Sequence, residues 1–260
     1  MNQKLNFISS GDRQIFTCYH TPKGLLVRDR AVLLCYPGNE EYTKVHWAFR
    51  TLADQLSKMG FPVLRFDYTG MGDSSGHTGT GSLVEWAEDT VNAGRYLMEV
   101  SGVSKIHTIG VRLGAVISAL AADKLGTFQQ IHWDPVYNGT EYIRELNNYN
   151  AEFRQSLDSA KVYMNDVGDP LGECLGYPVN QTMYDEFFGI DGKIFENEGK
   201  KVCLWSNKNY QKKAEGTFPH AISQMVVSDH GDWSNAEKAR KALFPTKISK
   251  KIAEIIERPI

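Results

Sequence analysis

Residues 109–115 read Ile-Gly-Val-Arg-Leu-Gly-Ala. A buried apolar run enters this stretch and a helical pattern leaves it. Gly110 and Gly114 flank the central residue at the spacing of a nucleophile elbow, a strained strand-to-helix turn that lifts one side chain above a sheet. Small residues two places before and after the centre prevent clashes, and the helix N-terminus behind it favours negative charge. Ser, Cys or Asp at the centre would make this a site of nucleophilic catalysis. The residue is Arg112. A guanidinium stays protonated at ordinary pH and cannot attack a carbonyl.

Other chemistry-bearing residues are sparser. Gly70-Met71-Gly72-Asp73-Ser74-Ser75-Gly76 resembles a phosphate loop or, through Gly72-Asp73-Ser74, a lipase-like Gly-Asp-Ser motif. No Lys follows it, so it reads as a turn-shaping segment. Cys18, Cys35, Cys174 and Cys203 form no C-x-x-C pair, which excludes the usual zinc and redox patterns. Cys35 and Cys203 lie in apolar runs and read as structural thiols. Placement inside a strand argues against Cys35 as a substitute nucleophile. No cofactor or metal is expected. With 29 Lys+Arg against 31 Asp+Glu, the net charge of -2 gives no basic excess for nucleic acid. No stretch approaches the ~18 apolar residues of a membrane span, and MNQKLNFISS has no signal-peptide core. The expectation is a soluble cytoplasmic protein with no nucleic-acid partner.

The elements that must hold the turn follow from hydrophobic period. Residues 5–9 and 15–20 read as short strands joined at Gly11-Asp12. The continuous run AVLLCY at 31–36 reads as a strand buried on both faces. Val45, Phe49, Leu52, Ala53, Leu56 and Met59 recur at helical spacing until Gly60. Strands at 61–66, 105–109 and 130–133 then alternate with helices at 83–98 and 113–125. Residues 201–206 and 221–227 resume the strands, and helical pieces follow at 235–244 and 248–256. Such alternation implies an α/β fold, a mostly parallel sheet covered by helices on both faces. The stretch 137–198 breaks the alternation with polar, Gly and Asn residues and two or three short helices. It reads as a lid-like insertion after the sixth strand, within a single domain spanning 1–260.

In this order the chain resembles the α/β-hydrolase superfamily over nearly its whole length. The matching residues are Tyr36-Pro37-Gly38, Arg65-Phe66-Asp67-Tyr68-Thr69-Gly70-Met71-Gly72-Asp73-Ser74 and the elbow. More narrowly it resembles bacterial serine-aminopeptidase-like and exosortase-associated hydrolases. That likeness rests on Glu41-Tyr42 with His46, on Gly110-Val111-Arg112-Leu113-Gly114, and on Trp133-Asp134-Pro135-Val136 followed by Gly139.

The resemblance implies a nucleophile, an acid and a His in that chain order. His230, in Val226-Val227-Ser228-Asp229-His230-Gly231-Asp232, follows the last strand, where the His belongs. The strand before it ends Trp205-Ser206-Asn207-Lys208-Asn209, without the usual acid, and Asp134 occupies an alternative acid position. The backbone N–H groups of Asn39 and Leu113 stand where an oxyanion hole would form. Arg112, at a helix N-terminus, should be drawn to an anion. Asp134 and Glu41 are the internal candidates, and a ligand carboxylate or phosphate is the external one. An Arg112–Asp134 ion pair at the floor of the cleft is the specific expectation.

Two functional classes stay open. One is an ester or thioester hydrolase or acyl-transfer protein without the usual Ser, in which His230 activates water and Arg112 grips an acidic group. Its substrate would be a small molecule or carried on an acyl carrier, a class the resemblance suggests. The other is a non-catalytic protein that keeps the pocket for ligand binding or regulation.

Overall fold

The computed structural model describes residues 3–23, 26–159, 173–174, 177–216, 218–219, 222–227, 233 and 246–258. The chain opens with a hairpin, β1 (Gln3–Ser10) and β2 (Arg13–His20), and continues through β3 (Arg30–Cys35), α1 (Asn39–Lys58) and β4 (Val63–Phe66). Then come α2 (Leu83–Ser101), β5 (Lys105–Val111), α3 (Leu113–Leu125) and β6 (Gln129–Trp133). After an excursion, β9 (Lys200–Trp205), α6 (Lys208–Ala214), β10 (Ser223–Val226) and α7 (Thr246–Glu257) complete the order.

Eight strands form one sheet in the order β1-β2-β4-β3-β5-β6-β9-β10. Only the pairings of β2 with β1 and with β4 are antiparallel. The rest are parallel. The reversal at β4 decides where the helices go. The chain steps one way from β3 to β4 through α1, and the other way from β4 to β5 through α2. Right-handed crossovers then place α1 on one face and α2 and α3 on the other. This reversal also opens a crevice above the strand carboxyl ends, where open α/β sheets bind ligands.

Local sequence explains the layers. Ala31, Val32, Leu33, Leu34 and Cys35 are fully buried, as a parallel strand covered on both sides requires. Helix α3 buries most of its circumference, and its small residues Ala115, Ser118, Ala119, Ala121 and Ala122 allow that close approach. Helix α2 starts on Ser82, whose hydroxyl accepts from the Glu85 N–H, and ends at Gly102 in the left-handed conformation.

Most boundaries shift by one to three residues from the sequence reading, and the start of α1 shifts more. Helix α1 begins at Asn39, a turn and a half before the first periodic apolar residue, Val45. Glu41 and Lys44 in its first turns face Arg112 and Trp233, so no apolar period marks this end. The strand expected from residue 61 starts at Val63, and the one expected from 221 starts at Ser223. Between β6 and β9 lie α4 (Gly139–Ser159), the two-residue strands β7 (Glu173–Cys174) and β8 (Tyr177–Pro178), α5 (Gln181–Phe188) and a 3-10 turn, Gly192–Glu196. The helix expected at 235–244 lies outside the described residues. Among those described, no helix is long and apolar enough to cross a membrane.

Candidate active site

Strand β5 runs into α3 through one residue, Arg112, with φ 52° and ψ −119°. A non-glycine residue there costs about 1–3 kcal/mol and persists only where its surroundings impose it. The surroundings are tight. A Cβ on Gly110 would lie 2.4 Å from the Gly114 carbonyl oxygen, and one on Gly114 would lie 2.3 Å from the Cys35 carbonyl oxygen. The Arg112 N–H donates to the Trp133 carbonyl at 3.0 Å, and its own carbonyl accepts from the Ala115 N–H at 3.1 Å. The elbow geometry expected from the glycine spacing is therefore present, with an arginine in it.

The Arg112 side chain is buried, at 5% exposure. Its Nε donates to Glu41 Oε1 at 2.9 Å, and its Nη2 donates to Glu145 Oε2. Glu41 comes from the first turn of α1 and is fully buried. Glu145 comes from α4. The guanidinium carbon lies 5.5 Å from the Tyr142 ring centre and 5.3 Å from that of Trp233. The Lys44 ammonium sits 4.2 Å from the same Trp233 ring. Burial works to discharge Arg112, but Glu41 and Glu145 together outweigh it and hold the group charged well above its ordinary range. Burial pushes the Glu41 carboxyl up, opposed by Arg112. Its second oxygen, Oε2, has no hydrogen-bond partner among the described residues.

The expected Arg112–Asp134 ion pair is not formed. Asp134 follows β6 with φ 42° and is buried. Its Oδ1 accepts from the Ser206 N–H at 2.8 Å, and its Oδ2 accepts from the Ser206 hydroxyl and, at 3.0 Å, from Trp233 Nε1. Those donors fix the carboxylate against the end of β9, and Arg112 turns to Glu41 and Glu145 instead. Burial pushes the Asp134 carboxyl up, while the Ser206 and Trp233 bonds favour its charged form. His230, with Asp229 and Asp232, lies outside the described residues. Asn39 and Leu113 are the first residues of α1 and α3, so their N–H groups have no carbonyl partner within the helix. Cys35 is fully buried in β3 and burial pushes its thiol well up, which removes it as a nucleophile. Ser74 is also occupied: its hydroxyl accepts from the Phe16 N–H at 2.8 Å and donates to the Asp67 carbonyl at 2.6 Å.

No protein-family model matches the chain, and no curated protein does. Solved structures do match. Est1E from Butyrivibrio proteoclasticus, determined with ferulic acid bound, shares 13% identity at a TM-score of 0.61, covering 97% of this chain and 96% of that one. An α/β serine hydrolase without lid from Xanthomonas campestris shares 12% at 0.57, covering 99% and 93%. Proline iminopeptidase from Mycobacterium smegmatis shares 11% at 0.58, covering 98% of each chain. The chain has the α/β-hydrolase fold. At these identities the likeness is one of architecture.

Within that fold, the sequence located Arg112, Glu41 and Asp134 but missed Glu145, Lys44, Tyr149 and Trp233. Glu145 had a faint signal. Tyr142, Leu146 and Tyr149 mark the buried face of α4 at helical spacing, and Glu145 lies beside that face. Trp233 is held at both ends of its backbone, its N–H donating to the Tyr210 hydroxyl at 2.7 Å and its carbonyl accepting from the Tyr149 hydroxyl. None of these residues lines the cavity of about 680 Å³ that Tyr137, Asp191, Lys193, Phe195, Glu196 and Phe218 help to wall. Phe195 and Phe218 meet there with ring centres 5.1 Å apart.

Proposed function

We propose that this chain is a non-catalytic protein of α/β-hydrolase fold that binds a ligand or regulates a partner reaction. The observation that carries this reading is the pairing of Arg112 with Glu41 and Glu145. The elbow holds a group that cannot attack, and two internal carboxylates already pair with it. Arg112 is then a structural keystone rather than a grip for an acidic substrate. The covalent route of acyl transfer has no nucleophile on this turn. The cavity beside Tyr137, walled by Phe195 and Phe218 and by Asp191, Lys193 and Glu196, suits a small ligand that carries both apolar and polar groups.

A second reading is supported by Asp134. It keeps a buried, hydrogen-bonded carboxylate and bonds to Trp233, three residues beyond His230 in the chain. On that reading His230 activates water against an ester or thioester, and the Asn39 and Leu113 amides hold the oxyanion. One assay separates the two. Purified protein is tested against p-nitrophenyl esters from acetate to decanoate and against acyl-coenzyme A thioesters. The proposal expects no turnover above buffer and no labelling by a fluorophosphonate. Turnover that His230→Ala and Asp134→Asn abolish overturns it in favour of the hydrolase.

A further inference from the structure

A second buried arginine lies away from the elbow. Arg65 is on β4, in register with Cys18 of β2, which in turn is in register with Leu5 of β1. Its exposure is 9%. Nε donates to His20 Nε2 at 3.0 Å, Nη1 to the Tyr36 hydroxyl at 3.2 Å, and Nη2 to Cys18 Sγ at 3.2 Å. Among the described residues Arg65 joins no ion pair, and each terminal nitrogen keeps a second N–H without a partner. The guanidinium borders a cavity of about 270 Å³ that Tyr42, His46 and Arg50 of α1 also line. Asp67 and Asp73 stand on its wall. Asp67 is engaged, accepting from the Tyr42 hydroxyl at 2.7 Å and the Asp73 N–H at 3.1 Å. Helix α1 separates the two arginines, with Glu41 turned to Arg112 and Tyr42 turned to this cavity.

We propose that this cavity is a binding site for a small carboxylate anchored on Arg65. Among the described residues no carboxylate lies within ion-pair distance of this guanidinium, Asp67 being held by the Tyr42 hydroxyl and the Asp73 N–H, so an incoming anion can pair with it directly. Two spare N–H groups on a planar guanidinium match the two oxygens of a carboxylate. Arg50 adds positive potential at the wall. Asp67 and Asp73 disfavour a multiply charged anion such as phosphate. The volume limits the ligand to an acid of a few carbons.

The test is a titration with sodium propionate at constant ionic strength, chloride being the balancing anion, followed by amide and arginine side-chain NMR shifts. The proposal expects saturable shifts centred on Cys18, Arg65 and α1 residues 42–50, with inorganic phosphate at least tenfold weaker. Arg65→Met should weaken propionate at least tenfold, and Arg65→Lys, which keeps charge but loses the fork, nearly as much. Arg50→Gln, at the cavity wall, should weaken it about threefold and keeps the test open if the buried variants do not fold. Shifts centred on Arg112, phosphate binding as tightly as propionate, or no saturation by 100 mM would each overturn the proposal.

Discussion

Among the described residues two arginines are buried, and their surroundings are opposite. Arg112 sits in the elbow against Glu41 and Glu145, with Lys44, Tyr142 and Trp233 around them. Arg65 sits between strands against an imidazole, a phenol and a thiol. The first cation is balanced from within, so its place in the crevice is filled. The second is solvated by neutral groups and borders open space. Burial alone therefore says little about what an arginine does; the charge of its partners decides whether it closes a site or leaves one available.

The contrast can be broken most forcefully at the elbow. Arg112→Met leaves Glu41 and the partly exposed Glu145 without their cation. Breaking a buried pair from one side costs about 3–5 kcal/mol, and urea unfolding should show a loss of that size. Arg112→Ser combined with Glu145→Gln removes the arginine and one carboxylate, leaves Glu41 facing Lys44, and should recover most of the loss. A double variant no more stable than Arg112→Met would mean that the cost lies in packing on Tyr142 and Trp233 rather than in charge.

The same unfolding experiment on Arg65→Met should show a smaller loss, below about 2 kcal/mol. Three acceptors lose a donor, but no carboxylate is orphaned and a buried charge is relieved. A loss as large as that of Arg112→Met would erase the distinction between the two sites.

The smallest expected effect is a titration. Burial, with Arg65 adding to it, lowers His20 from 6.5 to about 4. The folded value lies below the unfolded one, so His20 contributes stability above pH 6.5 that is lost as pH falls through about 4. Its ring resonances should titrate near 4 in the wild type. In Arg65→Met the midpoint should move part of the way toward 6.5, because burial, the larger cause, remains. An unchanged midpoint would show that Arg65 does not act on His20.

The sheet was legible in the sequence because buried parallel strands leave continuous apolar runs, as at 31–36, and because Gly110 and Gly114 mark a turn that few conformations satisfy. The start of α1 was hidden, since a first turn that faces a polar site carries no apolar period. The partner of Arg112 was hidden for another reason. Asp134 and Glu41 were both placed at the right rim, but which one receives the guanidinium depends on competing donors. The Ser206 N–H and hydroxyl and the Trp233 indole claim Asp134 from strands and loops far along the chain. Glu145 arrives from α4, where a lone acid beside an apolar face reads as a solvated residue. The neutral hydrogen-bond partners of Arg65 were equally invisible, because they depend on which residues β2 and β4 bring into register.

The most direct test of the central claim is the rate of ester and thioester hydrolysis by the wild-type chain. A pocket whose elbow is filled by an internally balanced arginine should give no turnover above buffer at any acyl length. Hydrolysis that requires His230 and Asp134 would contradict it and return the protein to the catalysts of its fold.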